Sequence, residues 1–313
     1  MYIADMHCDT VTEIYNGKKK GEQIRLLSNH LQVDLEKMKK SSYLLQNFAI
    51  FTDMKRDGES PFVRAKSQIS LFLEEMRKNA ALIRLARTFE EIGQNQKDGL
   101  ISAVLTLEEG EICEGSLEKL EEFYALGVRM MTFTWNYENS LANEGGLTET
   151  GIAFLEKMEA LGVIPDVSHL SDAGFYDVCR YSTKPFAASH SNARALCGHK
   201  RNLTDDMIRK IAARGGVIGI NYYGLFLEDF ADGACDGKIA RIADHALHMI
   251  RTGGIGCVGL GSDFDGFRGK TELSDCSNMD LLVAELKKRG LKHGELEAIC
   301  YKNVLRLYRE CLK

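Results

Sequence analysis

The 313-residue chain has three prolines and one tryptophan, and nowhere a Cys-x-x-Cys pair. So few prolines leave no Pro-rich linker at which to divide it. Nine cysteines, an odd number without paired spacing, do not form a disulfide framework; they read as reduced thiols and point to the cytoplasm. No window approaches the roughly 18 to 20 apolar residues of a membrane span. The opening residues, MYIADMHCDT, lack the basic start and apolar stretch of a signal peptide. Neither charge dominates: 40 Lys and Arg against 45 Asp and Glu give a net charge of −5, with no electrostatic footprint for nucleic acid or an anionic membrane. No Gly-x-Gly-x-x-Gly follows the first apolar run, and no Gly-x-x-x-x-Gly-Lys-Ser/Thr loop is present to cradle a phosphate. A small-molecule partner is what these absences leave.

The chain does have alternation. With 44% hydrophobic residues it can bury a sizeable core, and its apolar residues fall into short runs at Tyr2–Cys8, Tyr43–Phe51, Leu100–Leu107, Val128–Thr134, Val163–Ser168, Pro185–Ser189, Val217–Tyr222 and Cys257–Ser262. Between them lie stretches of helical period such as Arg64–Asn79, Ser116–Leu126, Glu149–Leu161, Thr204–Arg214, Lys238–Thr252 and Met279–Arg289, with a closing pair over His293–Leu312. Glycines at 127, 162, 215 and 254 fall where helices must end and the chain turn back. Eight strands alternating with helices predict a single α/β domain over residues 1–313, a (β/α)8 TIM barrel with its site at the C-terminal ends of the strands. A doubly wound open sheet is the alternative. Gly224–Gly237, after the seventh run, is a candidate lid.

The ends of these runs carry the chemistry. His7 and Asp9 are two apart and so face one way from an extended strand, where one ion can take both. Glu108 follows an apolar run, a costly place for a carboxylate without a partner or a metal; its neighbour Glu109 competes for the same role. His169 and His190 each end a run, and a third histidine in that position makes a satisfied core histidine the poorer account. His30, His199, His245, His248 and His293 lie elsewhere and read as surface or packing residues. Five ligands exceed what one catalytic ion needs and suit two ions sharing Glu108. Asp263, after Val258-Gly259-Leu260-Gly261-Ser262, is placed to move a proton to a leaving amine. Asp265 reads as a turn residue before Gly266, with a substrate contact as its other reading. Arg201 has the fork for a substrate carboxylate, and on spacing alone it is equally a surface arginine.

The motifs Asp5-Met6-His7-Cys8-Asp9-Thr10, Leu107-Glu108-Glu109-Gly110, Asp166-Val167-Ser168-His169, Ala188-Ser189-His190-Ser191, Arg201-Asn202-Leu203-Thr204-Asp205-Asp206 and Gly261-Ser262-Asp263-Phe264-Asp265-Gly266 occur in an order that resembles the membrane (renal) dipeptidase family of zinc peptidases, among the amidohydrolase-like barrels. The resemblance runs nearly end to end. It implies two zinc ions, one on His7 and Asp9, the other on His169 and His190, with Glu108 on both. It also implies Asp263 as acid and base, Arg201 on the terminal carboxylate of a dipeptide, and a homodimer. Where relatives close to the renal enzyme carry a histidine that polarises the scissile carbonyl, this chain reads Thr134-Trp135-Asn136. Trp135 offers one indole N–H and no charge, so it is either a substitute donor or an aromatic wall of the pocket. The expected activity is hydrolysis of dipeptides, those with a C-terminal D-residue included, by water activated between the ions. Hydrolysis of another small amide is the alternative, and a non-catalytic binding protein is the weaker one.

Overall fold

In the computed structural model, which describes residues 1–56, 58–229 and 236–312, each run read as a strand enters one parallel sheet. The strands are β1 (Ile3–Asp5), β2 (Tyr43–Phe51), β3 (Ile83–Leu85), β4 (Ile101–Glu108), β5 (Val128–Thr132), β6 (Ala142–Asn143), β7 (Gly146–Leu147), β8 (Ile164–Asp166), β9 (Ala187–Ala188), β10 (Val217–Ile220) and β11 (Val258–Leu260). The order β2-β1-β11-β10-β9-β8-β5-β4 closes on itself because β2 also pairs β4, from Leu45 opposite Ser102 to Phe51 opposite Glu108. The barrel is therefore the expected one, with eight strands. The short strand β3 was not legible in the sequence. It pairs Ile101–Ala103 of β4 beneath β5, which takes Leu105–Leu107, so it extends the sheet without opening the barrel. β6 and β7 form a two-residue hairpin on the rim.

Several strands are shorter than their apolar runs, for a reason that bears on the site. Asp5 Oδ1 accepts the amides of His7 (3.1 Å) and Ser262 (3.0 Å). Asp166 Oδ1 accepts those of Ser168 and Ser189, both at 2.9 Å. In each case a buried carboxylate takes the next amides of two adjacent strands away from the ladder. The ladders stop, and the following residues are free to turn their side chains over the barrel mouth.

The helices follow their sequence signals. Pro61–Lys78 opens with Ser60 as N-cap and Pro61 at its first turn, and Asp172–Tyr181 and Asp205–Ala213 are capped by Ser171 and Thr204. Leu117–Leu126 and Glu149–Leu161 end on Gly127 (φ 114°) and Gly162 (φ 85°), left-handed positions where a Cβ is strained. One hydrophobic core fills the space between strands and surrounding helices. A second joins Leu45, Val104, Met130, Ile164, Ala187 and Val217 to Val304, Leu307 and Tyr308 of the last helix, Asn303–Cys311. That helix stoppers the N-terminal mouth, leaving the opposite mouth for chemistry. Among the described residues no helix is long and apolar enough to cross a membrane. Of the candidate lid, Gly224–Phe226 form a short 3-10 turn, and 230–235 lie outside the described residues.

Candidate metal centre

His7, Glu108, His169, His190 and Asp263 all stand at or just beyond the carboxyl ends of barrel strands. The backbone bends sharply to aim them: His169 (φ 73°), Asp263 (φ 62°) and Asp265 (φ 68°) occupy the left-handed region that costs a non-glycine residue energy. Glu109 does so too, at φ 90°. The bend there settles which glutamate faces inward. The Glu109 carboxylate turns outward to accept from the amides of Glu111 (2.9 Å) and Trp135 (3.2 Å) and from the Asn139 side chain, whereas Glu108 points into the cluster.

There His7 Nε2 lies 3.3 Å from Asp9 Oδ2, 3.3 Å from Glu108 Oε2 and 3.8 Å from Asp263 Oδ1. The other oxygen, Glu108 Oε1, is 3.0 Å from His169 Nε2 and 3.6 Å from His190 Nε2. Glu108 thus faces two groups of donors, one with each oxygen. His7, Glu108 and His190 bring ligand atoms within 4.8 Å of one another, as do His7, Asp9 and Asp263. His7 Nε2 and Asp9 Oδ1 are buried without a hydrogen-bond partner.

The hydrogen bonds behind the histidines fix where their protons are. His169 Nδ1 is 3.1 Å from Asn136 Oδ1, which can only accept, so Nδ1 carries the proton and Nε2 a lone pair. His190 Nδ1 is 2.7 Å from Ser189 Oγ, and the single hydroxyl proton of Ser189 goes to Asp166 Oδ2. Ser189 Oγ therefore accepts from His190, whose Nε2 is left with a lone pair as well. Those two Nε2 atoms are 2.9 Å apart, and with no proton between them the contact repels unless a cation lies against both. The donor set accordingly fits metal ions, with the second partners that hold metal-binding imidazoles in place.

Electrostatics agree. Burial, then the Arg201 charge, takes His169 down to about 4; burial first, then His7, holds His190 well below the usual histidine range. Both stay neutral, as ligands must. Burial alone would also lower His7, but Glu108 and Asp9 outweigh it and raise His7 well above its ordinary value. Burial and the nearby Glu108 raise Asp9. Burial would raise Glu108 too, yet His7 and His169 bring it well below the ordinary value. The cluster demands positive charge at this point, as a proton on His7 or as a metal ion.

A cavity of about 770 Å³ opens beside the cluster, lined in part by Trp135, Tyr137, His169, Lys200 and Arg201. Arg201 donates to the His190 carbonyl at 3.3 Å while its buried Nε has no partner. The Trp135 ring packs 4.9 Å from Phe51 and 5.5 Å from Tyr137, between centroids, as a wall does. Asp263 Oδ2 accepts from Asn221 Nδ2 at 2.9 Å. Asp265 departs from the substrate-contact reading. Its oxygens are taken by Thr10 Oγ1 (2.6 Å) and the Gln32 amide (2.7 Å), its own amide binds Gln32 Oε1 at 2.8 Å, and it is absent from the cavity lining. It braces the loop around Gln32. Asn136 and Asn221 stand at strand ends in the sequence without a role to assign them, and Asp166 and Ser189 are not separable there from ordinary polar residues, because their meaning lies in pairings between strands.

A closed parallel barrel that gathers three histidines and three carboxylates at its catalytic mouth is the framework of a metal-dependent hydrolase. This chain belongs to the membrane dipeptidase family, peptidase family M19, which matches residues 1–312, and it is accordingly an enzyme of the metallo-dipeptidase class. It is 30% identical over 294 residues to dipeptidase aclJ of Aspergillus oryzae, covering 88% of this chain and 69% of that protein. It is 33% identical over 233 residues to an uncharacterized dipeptidase of Schizosaccharomyces pombe, covering 71% of this chain but 56% of the yeast protein. The crystal structure of dipeptidase AC, a metallo peptidase, superposes with a TM-score of 0.92 at 25% identity, over 100% of this chain and 99% of that one.

Proposed function

We propose that the protein is a binuclear zinc dipeptidase acting on small dipeptides, including those with a C-terminal D-residue. The observation that carries this reading is the pair of imidazole Nε2 atoms, 2.9 Å apart, facing one oxygen of Glu108 while the other oxygen faces His7. In this assignment His7 and Asp9 hold one ion, His169 and His190 the other, and Glu108 both. When bound, the two ions supply water activated at neutral pH and positive charge for the carbonyl oxygen.

The chain's own groups do the rest. Burial raises Asp263 above the usual carboxylate range against the pull of His7, and its Oδ1 stands 3.8 Å from His7 Nε2, placed to take and return a proton. Asn221 holds its Oδ2, so Oδ1 is the atom that takes the proton and passes it to the leaving amine. Arg201, whose side chain lines the cavity, binds the terminal carboxylate of the dipeptide as a fork. Trp135, with Phe51 and Tyr137, limits the side chains that fit. The eight described cysteines are free, which supports a reducing compartment, the cytoplasm. We also read the protein as a homodimer, by its family and by the commonness of two-fold assemblies; sedimentation showing only monomer at micromolar concentration overturns that part.

The cavity, at about 770 Å³, leaves room for amides larger than a dipeptide, and the same experiment separates that reading. Zinc-reconstituted protein is offered L,L and L,D dipeptides, the same peptides with a blocked C-terminus, and a chelator-treated control. Cleavage that needs both metal and a free carboxylate is expected. Cleavage indifferent to the block favours another small amide. Asp263→Asn should keep its metal and lose about 10²- to 10⁴-fold in turnover; unchanged turnover removes Asp263 from its role.

A further inference from the structure

The two histidines that face Glu108 Oε1 are supported unequally. Behind His169 stands the neutral amide of Asn136, which is exposed. Behind His190 stands a chain of two fully enclosed groups, Ser189 and then Asp166, 0% and 2% exposed. Asp166 is held from three directions, by the amides of Ser168 and Ser189 on Oδ1 and the Ser189 hydroxyl on Oδ2. His190 itself is fixed further, its amide donating to Ser168 Oγ at 3.2 Å. Such enclosure sets not only the position of the imidazole but the direction of every proton in the chain. Asp166 can only accept, so the Ser189 hydroxyl must point to it, so Ser189 Oγ must accept, so the His190 proton must sit on Nδ1.

We infer that Asp166 and Ser189 are positioning residues that lock His190 in the tautomer whose Nε2 is free to bind metal, and so anchor the ion of the His169–His190 half of the centre. The inference rests on the proposed metal centre and goes beyond it in naming what keeps one ion in place. Asp166 does this without touching the metal or the substrate.

The relay makes a prediction that a merely structural aspartate does not. In Asp166→Asn the amide oxygen can keep both backbone amides on the old Oδ1, but the group facing Ser189 becomes a donor. The Ser189 hydroxyl then accepts from the asparagine and has its own proton left to give to His190 Nδ1, which drives the imidazole proton onto Nε2, where the ion should be. An isosteric Asp-to-Asn change behind a histidine acts through the wrong tautomer in the same way in serine proteases. Ser189→Ala removes the relay but not the carboxylate clamp on the two amides, and leaves His190 free to adopt either tautomer. The expected order of damage is therefore Asp166→Asn worse than Ser189→Ala, both milder for the His7–Asp9 half.

The test uses zinc alone, with no substrate. Zinc affinity of wild type, Asp166→Asn and Ser189→Ala is measured by competition with a chromophoric chelator, and the His190 tautomer is read from imidazole ¹⁵N shifts in metal-free protein. Wild type should bind two ions and show Nδ1–H at His190. Ser189→Ala should weaken one ion about 10- to 100-fold, and Asp166→Asn should weaken it more and show Nε2–H. Both variants keeping two ions at wild-type affinity, or wild type showing Nε2–H, overturns the inference. Should Asp166→Asn fail to fold, Ser189→Ala decides alone. Wild-type protein that binds no zinc overturns the metal centre itself, a different failure from variants that bind as wild type does.

Discussion

Gly266 shows how closely the site is built around single atoms. A Cβ there would stand 2.3 Å from Asp9 Oδ2 and 2.4 Å from Asp263 Oδ1, too close for any real contact, and Asp263 is tied back by Asn221. Gly266→Ala must therefore displace one carboxylate or both. We expect loss of the ion on the His7–Asp9 side and at least a hundredfold loss of turnover, on the order of what removing one well-placed electrostatic group costs; metal analysis showing two ions retained at full activity would contradict this. Arg201→Ala is expected to act differently. With the metal ligands intact, KM for dipeptides should rise about 10- to 100-fold, the 1.5–3 kcal/mol of a hydrogen bond to a charged group, while a peptide with a blocked C-terminus should be unaffected. A fall in kcat with unchanged KM would move Arg201 from binding to chemistry. At this scale the sequence was informative where residue type and strand position coincided, as for His7, Glu108, His169 and His190. It preferred Glu108 over Glu109 only modestly, because the left-handed backbone at 109 that turns that side chain away leaves no mark in the residue pattern. Nor could it decide Asp265, whose brace depends on Thr10 and Gln32, some 250 and 230 residues distant in the chain.

Among elements, the helix Ile239–Gly253 carries a pH sensitivity separate from the metal centre. Its His245 is fully buried. Nδ1 accepts from the Ala193 amide at 3.0 Å, so Nε2 holds the proton and donates to the Leu227 carbonyl at 2.9 Å. The neutral ring bridges two loops and cannot take a second proton without losing the Ala193 bond; burial lowers its pKa to about 4. An unfolded histidine titrates near 6.5. Above that neither state binds the proton and stability does not change; as pH falls from about 6.5 to about 4 the unfolded chain takes it first, and stability is lost, up to about 3 kcal/mol. Below that range the slope ends. Gln at 245 can make both hydrogen bonds without titrating, so His245→Gln should flatten urea-unfolding midpoints between pH 7 and 4.5 relative to wild type. An equal slope in both proteins would sink the assignment. The sequence reading of His245 left surface and packing open, and its burial puts it among the packing residues. Elements were legible where they are long or capped, as at Ser171 and Thr204, although the helix read from Arg64 begins at Pro61 behind Ser60. The run Ile83–Leu85 was not, since three residues with an exposed Arg84 in the middle carry too short a pattern for periodicity. Strand ends were overestimated where Asp5 and Asp166 intercept the ladder amides, an event between strands that no local pattern records.

For the molecule as a whole, the metal centre joins walls of the barrel that the chain builds at widely separated times. His7 follows β1, Glu108 ends β4, His169 and His190 follow β8 and β9, and Asp263 follows β11. An ion held by ligands from several strands exists only when the barrel is closed, so its binding free energy adds to folding. A ligand at a hundred times its Kd contributes about 2.7 kcal/mol. Two such ions contribute about 5 kcal/mol, which for a domain of this size amounts to a shift in Tm on the order of 5–10 °C. Removing the ions also leaves the two lone pairs of His169 and His190 opposed at 2.9 Å and leaves Asp9 and Glu108 to share one proton on His7. Chelation should accordingly lower Tm by more than screening or dilution does, and adding back zinc should restore it in proportion to occupancy. If the proposed two-ion centre is right, His190→Ala, which removes one half of it, should show about half the chelator-induced shift, because His7, Asp9 and Glu108 would still hold the other ion. A Tm indifferent to chelator in wild type would mean that the barrel closes without help from this cluster.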